Sequence, residues 1–369
     1  MSQTIIGLNH PLAVKRWSAT LFVDMNRDSY WGQRFMGKGK DAKTPVQVLT
    51  ELQNDAGDTI TFDLFGQLKQ KPTYGDNILK GKEEALRSYT DTVKIDQIRC
   101  GVNGGGRMTR KRTLHDLRQV ARTLMAQWWA RWQDETMFCY ASGGRGVNDD
   151  FIHDVGWTGF SDNAIQAADD KHLLFGGDAT SEATLASDDK MDLRLIDRAK
   201  TKSKTQGGGT GISGSRLRPI RINGEDRLVM VMHEFQAYDL RTNTSTGQWL
   251  DIQKAAAGAQ GQGNPIFKGA LGEYNSVILH SHEAAIRINA GADGLQPCAR
   301  ALLLGAQGLV MAFGSPGSNL RFDWHEETED RGNQIVITSS TVGGVKKTRF
   351  DNRDFGVYTL PTYAADPNP

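Results

Sequence analysis

The sequence predicts an α+β fold, and three observations carry that prediction. From Gly57 onward Ile60, Phe62 and Leu64 alternate with Thr59, Thr61 and Asp63, the period of two of a half-buried strand. From about Leu114 to Tyr140 apolar residues return at helical spacing, with Gly143 and Gly144 as stop signals. From Arg227 to His282 a buried strand, a helix start and a second strand follow one another, the pattern of a mixed lobe.

Composition bounds what such a chain can be. Its 369 residues are more than twice the ~150 of one domain, so two or more lobes are expected. Lys and Arg number 44 against 43 Asp and Glu. That balance gives no global electrostatic reason for a nucleic-acid or membrane partner, so any such partner must meet a local patch. Cys100, Cys139 and Cys298 lie far apart with no C-x-x-C spacing, which fits a reducing compartment and argues against a disulfide or zinc framework. No run of about 18 apolar residues occurs and Met1 to Leu12 does not read as a signal peptide, so the expectation is a chain with no membrane partner.

The first 45 residues read as an extended arm. Trp17, Phe22, Tyr30, Trp31 and Phe35 give apolar anchors without a periodic core, so the arm is expected to pack on another lobe or another subunit. Strands from Gly57 and from Tyr89 to Ile98 then frame about two dozen polar residues containing Pro72, Gly75 and Gly81. That spacing predicts a long two-stranded projection with an irregular tip. An isolated ribbon is marginal in water, and a neighbouring subunit is the expected support.

Thr113 is the expected N-cap of the long helix, whose stripe comprises Leu114, Leu117, Ala121, Leu124, Met125, Trp128 and Trp132. Lys111, His115, Arg118 and Arg122 would line a separate basic face of it. Residues from Val147 to Ala186 promise little regular structure, Ser187 to Lys200 a short helix, and Gly207 to Gly214 a linker. The apolar run Ala301 to Phe313 continues the second lobe. Gln334 to Ser340, Thr348 to Asn352 and Gly356 to Leu360 are expected to return to the sheet of the first.

Catalytic signals are sparse. His280 and His282 share a strand face beside Glu283, a spacing able to hold a metal in a metal-dependent hydrolase, although no third ligand is near in sequence. Structural histidines are the commoner reason for such a pair. The glycines from Gly101 to Gly106 precede a helix but lack the phosphate-loop pattern, and no nucleophile elbow occurs. Arg107, Arg110, Lys111, Arg112, Arg118 and Arg122 form a basic stretch that fits nonspecific phosphate contact, and equally a solvated face or salt bridges. No enzyme and no cofactor is the expectation.

Six segments carry a resemblance: Gly57-Asp-Thr-Ile-Thr-Phe, Gly81-Lys-Glu-Glu-Ala-Leu, Val93-Lys-Ile-Asp-Gln-Ile-Arg, Gly105-Gly-Arg-Met-Thr, Asp116-Leu-Arg-Gln-Val-Ala-Arg and Leu228-Val-Met-Val-Met-His-Glu-Phe-Gln-Ala-Tyr-Asp-Leu-Arg. In order and spacing they resemble the major capsid proteins of tailed bacteriophages, in the branch that includes podovirus and Shiga-toxin-phage coat proteins. The resemblance is strongest over about 50 to 143 and 226 to 250. It implies a Hong Kong 97 type capsid fold with an N-terminal arm (1–45), an extended-loop region (46–105), a peripheral domain (106–226) with a spine helix at 114–140, an axial domain (227–313) and a return to the peripheral domain (314–369).

The function it implies is an icosahedral shell of hexameric and pentameric capsomers around packaged double-stranded DNA, assembled in the host cytoplasm and ending in the virion. Scaffolding, portal and decoration proteins are further partners it allows. Tyr74, Ile78, Leu79 and Tyr89 of the ribbon, with Trp17, Phe22, Trp31 and Phe35 of the arm, would then lie on a neighbour. Arg118 and Arg122 would face DNA. No covalent cross-link is expected, since neither the lysine nor the asparagine that some members join can be aligned.

Overall fold

The computed structural model describes residues 24–25, 28–39, 42–53, 57–65, 68, 70–113, 116–205, 216–222, 224–243, 270–315 and 321–368. Two β-sheets and one long helix organise it. The first sheet has six strands in the order Met36–Lys38, Val46–Leu49, Leu309–Phe313, Gln334–Lys347 and Phe322–Glu329, with Asp96–Asn103 also paired to the long strand Gln334–Lys347. The second has seven: Ala270–Tyr274, Val277–Ser281, Glu225–Met232, Gln296–Leu304 and Arg287–Ala290 in order, with Val357–Tyr363 on Gln296–Leu304 and Ile220–Ile222 on Glu225–Met232.

Side-chain alternation divides the seven-stranded sheet between two cores. Val229, Val231, Ile278, Leu302, Leu304 and Val357 face a cluster that also holds Tyr30, Trp31, Phe35 and the end of the long helix. Their neighbours Leu228, Met230, Val277, Leu279, Leu303 and Tyr358 face the other way. There they meet Leu195, Ile196 and Ala199 of helix Leu193–Thr205, and Ala237 and Leu240 of helix Glu234–Thr242. Burial on both faces explains why these strands read as continuous apolar runs.

The long helix spans Leu117–Ser142 and starts later than expected. Asp116 caps it, its carboxylate accepting from the Arg118 N–H at 3.0 Å, and Gly143 ends it at φ 78°. Thr113 is extended and closes a separate six-residue helix, Arg107–Arg112, so the two basic segments do not share one helix face. Ala121, Met125 and Trp129, one turn apart, pack against Phe322, Trp324 and Ile337 of the six-stranded sheet, and Trp129 Nε1 donates to Ser339 Oγ at 2.6 Å. Leu124, expected in that stripe, is 55% exposed because it lies off this face. From Trp132 onward every residue is buried, as expected of a helix end enclosed on all sides.

The strand expected at Tyr89 to Ile98 is two strands that change partner at Ile95. Ser88–Lys94 pairs with Thr59–Phe65 to form the ribbon, whereas Asp96–Asn103 pairs with the long strand. The boundary expected at Phe313 is crossed twice. Leu309–Phe313 belongs to the six-stranded sheet, and Val357–Tyr363, expected to return there, pairs with Gln296–Leu304 in the seven-stranded one. Apolar runs alone do not say which sheet a strand joins, since either sheet buries them; backbone pairing decides it. Residues 147–186 carry only short bridges and a single 3-10 turn, and the helix expected from Ser187 begins at Leu193. The glycine linker at 207–214 lies outside the described residues.

Candidate interaction surfaces

The ribbon has a packed shaft and an uncovered tip. Along the shaft Ile60, Phe62, Leu64 and Val93 turn one face onto Leu49, Val310, Ala312, Phe350 and Phe355, while the intervening Thr and Asp side chains face water. Asp91 ties the shaft down by accepting from Lys346 Nζ and from the Arg349 N–H. Tyr89 is half-buried against this cluster. Beyond it the chain leaves the body, and Tyr74 and Ile78 are each 74% exposed, with Leu68, Leu79 and Leu86 also in water. Covering a large apolar side chain contributes about 1.5–3 kcal/mol, so this tip is a reservoir of unused association energy.

The arm residues divide. Trp17 and Phe22 lie outside the described residues. Trp31 and Phe35, expected on a neighbour, are fully buried in the chain's own core against Phe138 and each other. The cause is a polar clasp from the long helix. Asp134 accepts from Ser29 Oγ at 2.8 Å, from the Tyr30 N–H at 2.8 Å and from the Trp31 N–H at 3.0 Å, which seats the short helix Tyr30–Arg34. Burial pushes the Asp134 carboxyl up to about 6 despite these donors.

The two arginines expected to face DNA are engaged within the chain. Arg118 pairs with Glu326 at 2.7 Å and Arg122 with Asp24 at 2.9 Å. Their charges are offset, which removes the reason for assigning them to phosphate. The exposed cations of that stretch are Arg107, Lys111 and Arg112 on the preceding short helix, which buries no residue at all. The run of basic residues in the sequence contained this signal, but which members are paired depends on residues about a hundred or two hundred positions away.

The two histidines are packed among aromatic rings. His280 is fully buried with its ring 5.6 Å from Phe35, and His282 sits 4.4 Å from Tyr30 and 5.2 Å from Phe138. Burial, with Arg34 and His233 nearby, pulls His282 down to about 4. Glu283 is exposed and adds no buried ligand. Among the described residues no group of three or more His, Cys, Asp or Glu side chains is arranged for a metal. Cys139 and Cys298 are buried free thiols that burial raises to about 12 and about 11, far from a reactive thiolate.

Comparison with known families identifies the kind of chain that carries these surfaces. The model of the phage capsid protein family matches residues 5–366. The chain belongs to that family. The capsid of Ralstonia phage GP4 is similar over 100% of both chains, with 46% identity and a TM-score of 0.85. The major capsid protein of Pseudomonas phage KPP25 is 27% identical over 354 residues, 87% of this chain and 88% of that one. The capsid of cyanophage Pam1, at 21% identity over 89% and 91% of the two chains with a TM-score of 0.66, shares the fold. The capsid chain thus has the Hong Kong 97 type fold that the resemblance implied, and it is a component of the virion shell.

Proposed function

We infer that this chain is the major capsid protein of a tailed bacteriophage, the repeated subunit of an icosahedral shell around double-stranded DNA. One observation carries the reading: a ribbon with an exposed apolar tip, projecting from a chain that matches a phage capsid subunit over its whole length. Tyr74, Ile78 and Leu79 are the residues assigned to a neighbouring subunit, with Tyr89 setting the ribbon on its own body. Trp17 and Phe22 keep the arm contact assigned to them; Trp31 and Phe35 act instead as the arm's anchor.

The long helix takes the spine role and the six-stranded sheet the peripheral one, while the seven-stranded sheet, including Val357–Tyr363, forms the axial domain. No catalytic step is assigned to the capsid chain. DNA is held inside by nonspecific contact, and assembly takes place in the host cytoplasm with scaffolding, portal and decoration proteins as additional partners. The test is electron microscopy of cells expressing the phage head genes. Closed shells containing this chain as their main protein are expected, and their absence overturns the reading.

A further inference from the structure

The outer end of the six-stranded sheet is electrically two-sided. Three strands form it, with Gln334–Lys347 in the middle, Phe322–Glu329 on one flank and Asp96–Asn103 on the other. Register aligns their solvent faces. Asp323, Ser340 and Arg99 form one row across the three strands, and Glu327, Val336 and Asn103 another. The middle strand contributes only uncharged residues to this face from Gln334 to Ser340. Exposed acids therefore collect on one flank, at Glu327 and Glu329 with Asp330 in the turn. Exposed cations collect on the other, at Arg99 and on the short helix with Arg107, Lys111 and Arg112. Arg331 occupies the turn itself, next to Asp330.

The short helix needs explaining. Six residues are far below the ~12–15 at which a helix holds itself in water, and no residue of this one is buried. Asn333 fixes it, accepting from the Arg107 N–H at 3.1 Å through its side chain and from Arg110 Nη2 at 3.0 Å through its carbonyl. The fold thus spends specific contacts on presenting cations to solvent. Among the described residues, both flanking strands also leave one hydrogen-bonding edge unpaired, the kind of edge that charged side chains guard or a partner covers.

We propose that this end is a heterologous contact between copies of the chain, the acidic flank Glu327/Glu329 of one docking against the basic flank Arg107/Lys111/Arg112 of the next. Charge complementarity selects a second copy over nucleic acid. Strands lie about 4.8 Å apart, which puts the acidic strand roughly 10 Å from Arg99, within one screening length of ~10 Å at 0.1 M salt. A polyanion drawn to the cations is repelled by the carboxylates beside them, whereas a second copy offers the matching sign to each flank. Head-to-tail contacts of this kind generate rings where the rotation between copies closes. This contact is additional to the ribbon and rests on the shell-forming function inferred above.

The test compares shell yield from cells expressing the phage head genes with four forms of the chain: wild type, R107E/K111E, E327K/E329K, and the swap carrying all four changes. Each single-flank reversal brings like charges together and is expected to lower yield at least tenfold. The swap restores opposite signs across the four changed positions and is expected to recover yield to within about threefold of wild type. Circular dichroism of the subunits establishes that the variants fold. Reversals that assemble like wild type overturn the contact, as does a folded swap that fails to recover. Normal shells emptied of DNA by R107E/K111E alone assign the basic flank to nucleic acid and overturn it too. Wild-type shells in all these cases leave the capsid function standing; no wild-type shells at all overturns that function and the contact with it.

Discussion

The seven-stranded sheet and the ribbon are both β-structure, and they treat apolar side chains in opposite ways. The sheet buries both faces within the chain, so Leu302, Leu303 and Leu304 are all without solvent exposure although they point alternately to two cores. The ribbon buries one face for the length of its shaft and then carries Tyr74, Ile78 and Leu86 into water. What separates them is how far the chain can reach its own core. Residues 70–87 of the loop are almost all exposed, and apolar side chains there gain nothing until another molecule covers them. The sheet holds its apolar side chains in the subunit's own core, and the ribbon tip leaves its apolar side chains for another molecule to cover.

The largest test of that division is in the sheet. Leu302→Ala removes a side chain packed at the centre of the strand and is expected to cost about 2–5 kcal/mol of unfolding free energy in denaturant titration. A loss below about 1 kcal/mol would mean that the sheet is not the stability core.

Acidification comes next, and it too acts on the body. His153, His233 and His282 are each pulled by burial to about 4, below the ordinary 6.5 of imidazole. Between those values the unfolded chain binds protons that the folded chain refuses, so stability falls as pH drops from 6.5 to 4. Asp134 opposes this. With its carboxyl held near 6, the folded chain takes up that proton before the unfolded chain does and gains stability as pH falls from 6 toward 4. Three histidines, each lowered by more than Asp134 is raised, outweigh that aspartate, and a net loss of stability is expected. Asp134→Asn removes the opposing contribution and should steepen the decline, whereas His282→Phe keeps the ring among Tyr30 and Phe138 and should flatten it. Stability measured from pH 7 to 4 checks both slopes.

The ribbon supplies the contrast. Tyr74→Ala and Ile78→Ala remove exposed side chains, so subunit stability should change by less than about 0.5 kcal/mol. Shell yield should nevertheless fall severalfold by microscopy; unchanged yield would remove the tip from the assembly contacts. Smallest of all is Lys94→Ala. It breaks an exposed pair with Asp162 at 3.2 Å and is expected to shift the denaturation midpoint within error.

The ribbon, the long helix and the later lobe are legible in local residue patterns, and the features that are not share a common cause. Thr113 and Asp116 are both good caps, and the choice between them depended on Arg107–Arg112 being held by Asn333, more than two hundred residues away. Arg118 and Arg122 looked alike with Lys111 as cations, until Glu326 and Asp24 were placed beside the two arginines. Trp31 and Phe35 looked like anchors awaiting a partner because the partner, Asp134 with Phe138, is about a hundred positions downstream. His280 and His282 invited a metal because alternation shows that two side chains share a face, not that Phe35, Tyr30 and Phe138 pack against their rings.

By itself the sequence determined the periodicities, and with them which segments are strand, helix or ribbon tip, since those preferences arise from backbone geometry and side-chain alternation within a few residues. It also contained the unequal distribution of charge that a net charge of +1 conceals. The tertiary structure alone decided which strands share a sheet, which cations are offset and which aromatics are anchors. Each of those outcomes rests on a hydrogen bond, ion pair or contact between residues far apart in the chain, and no local preference specifies the partner.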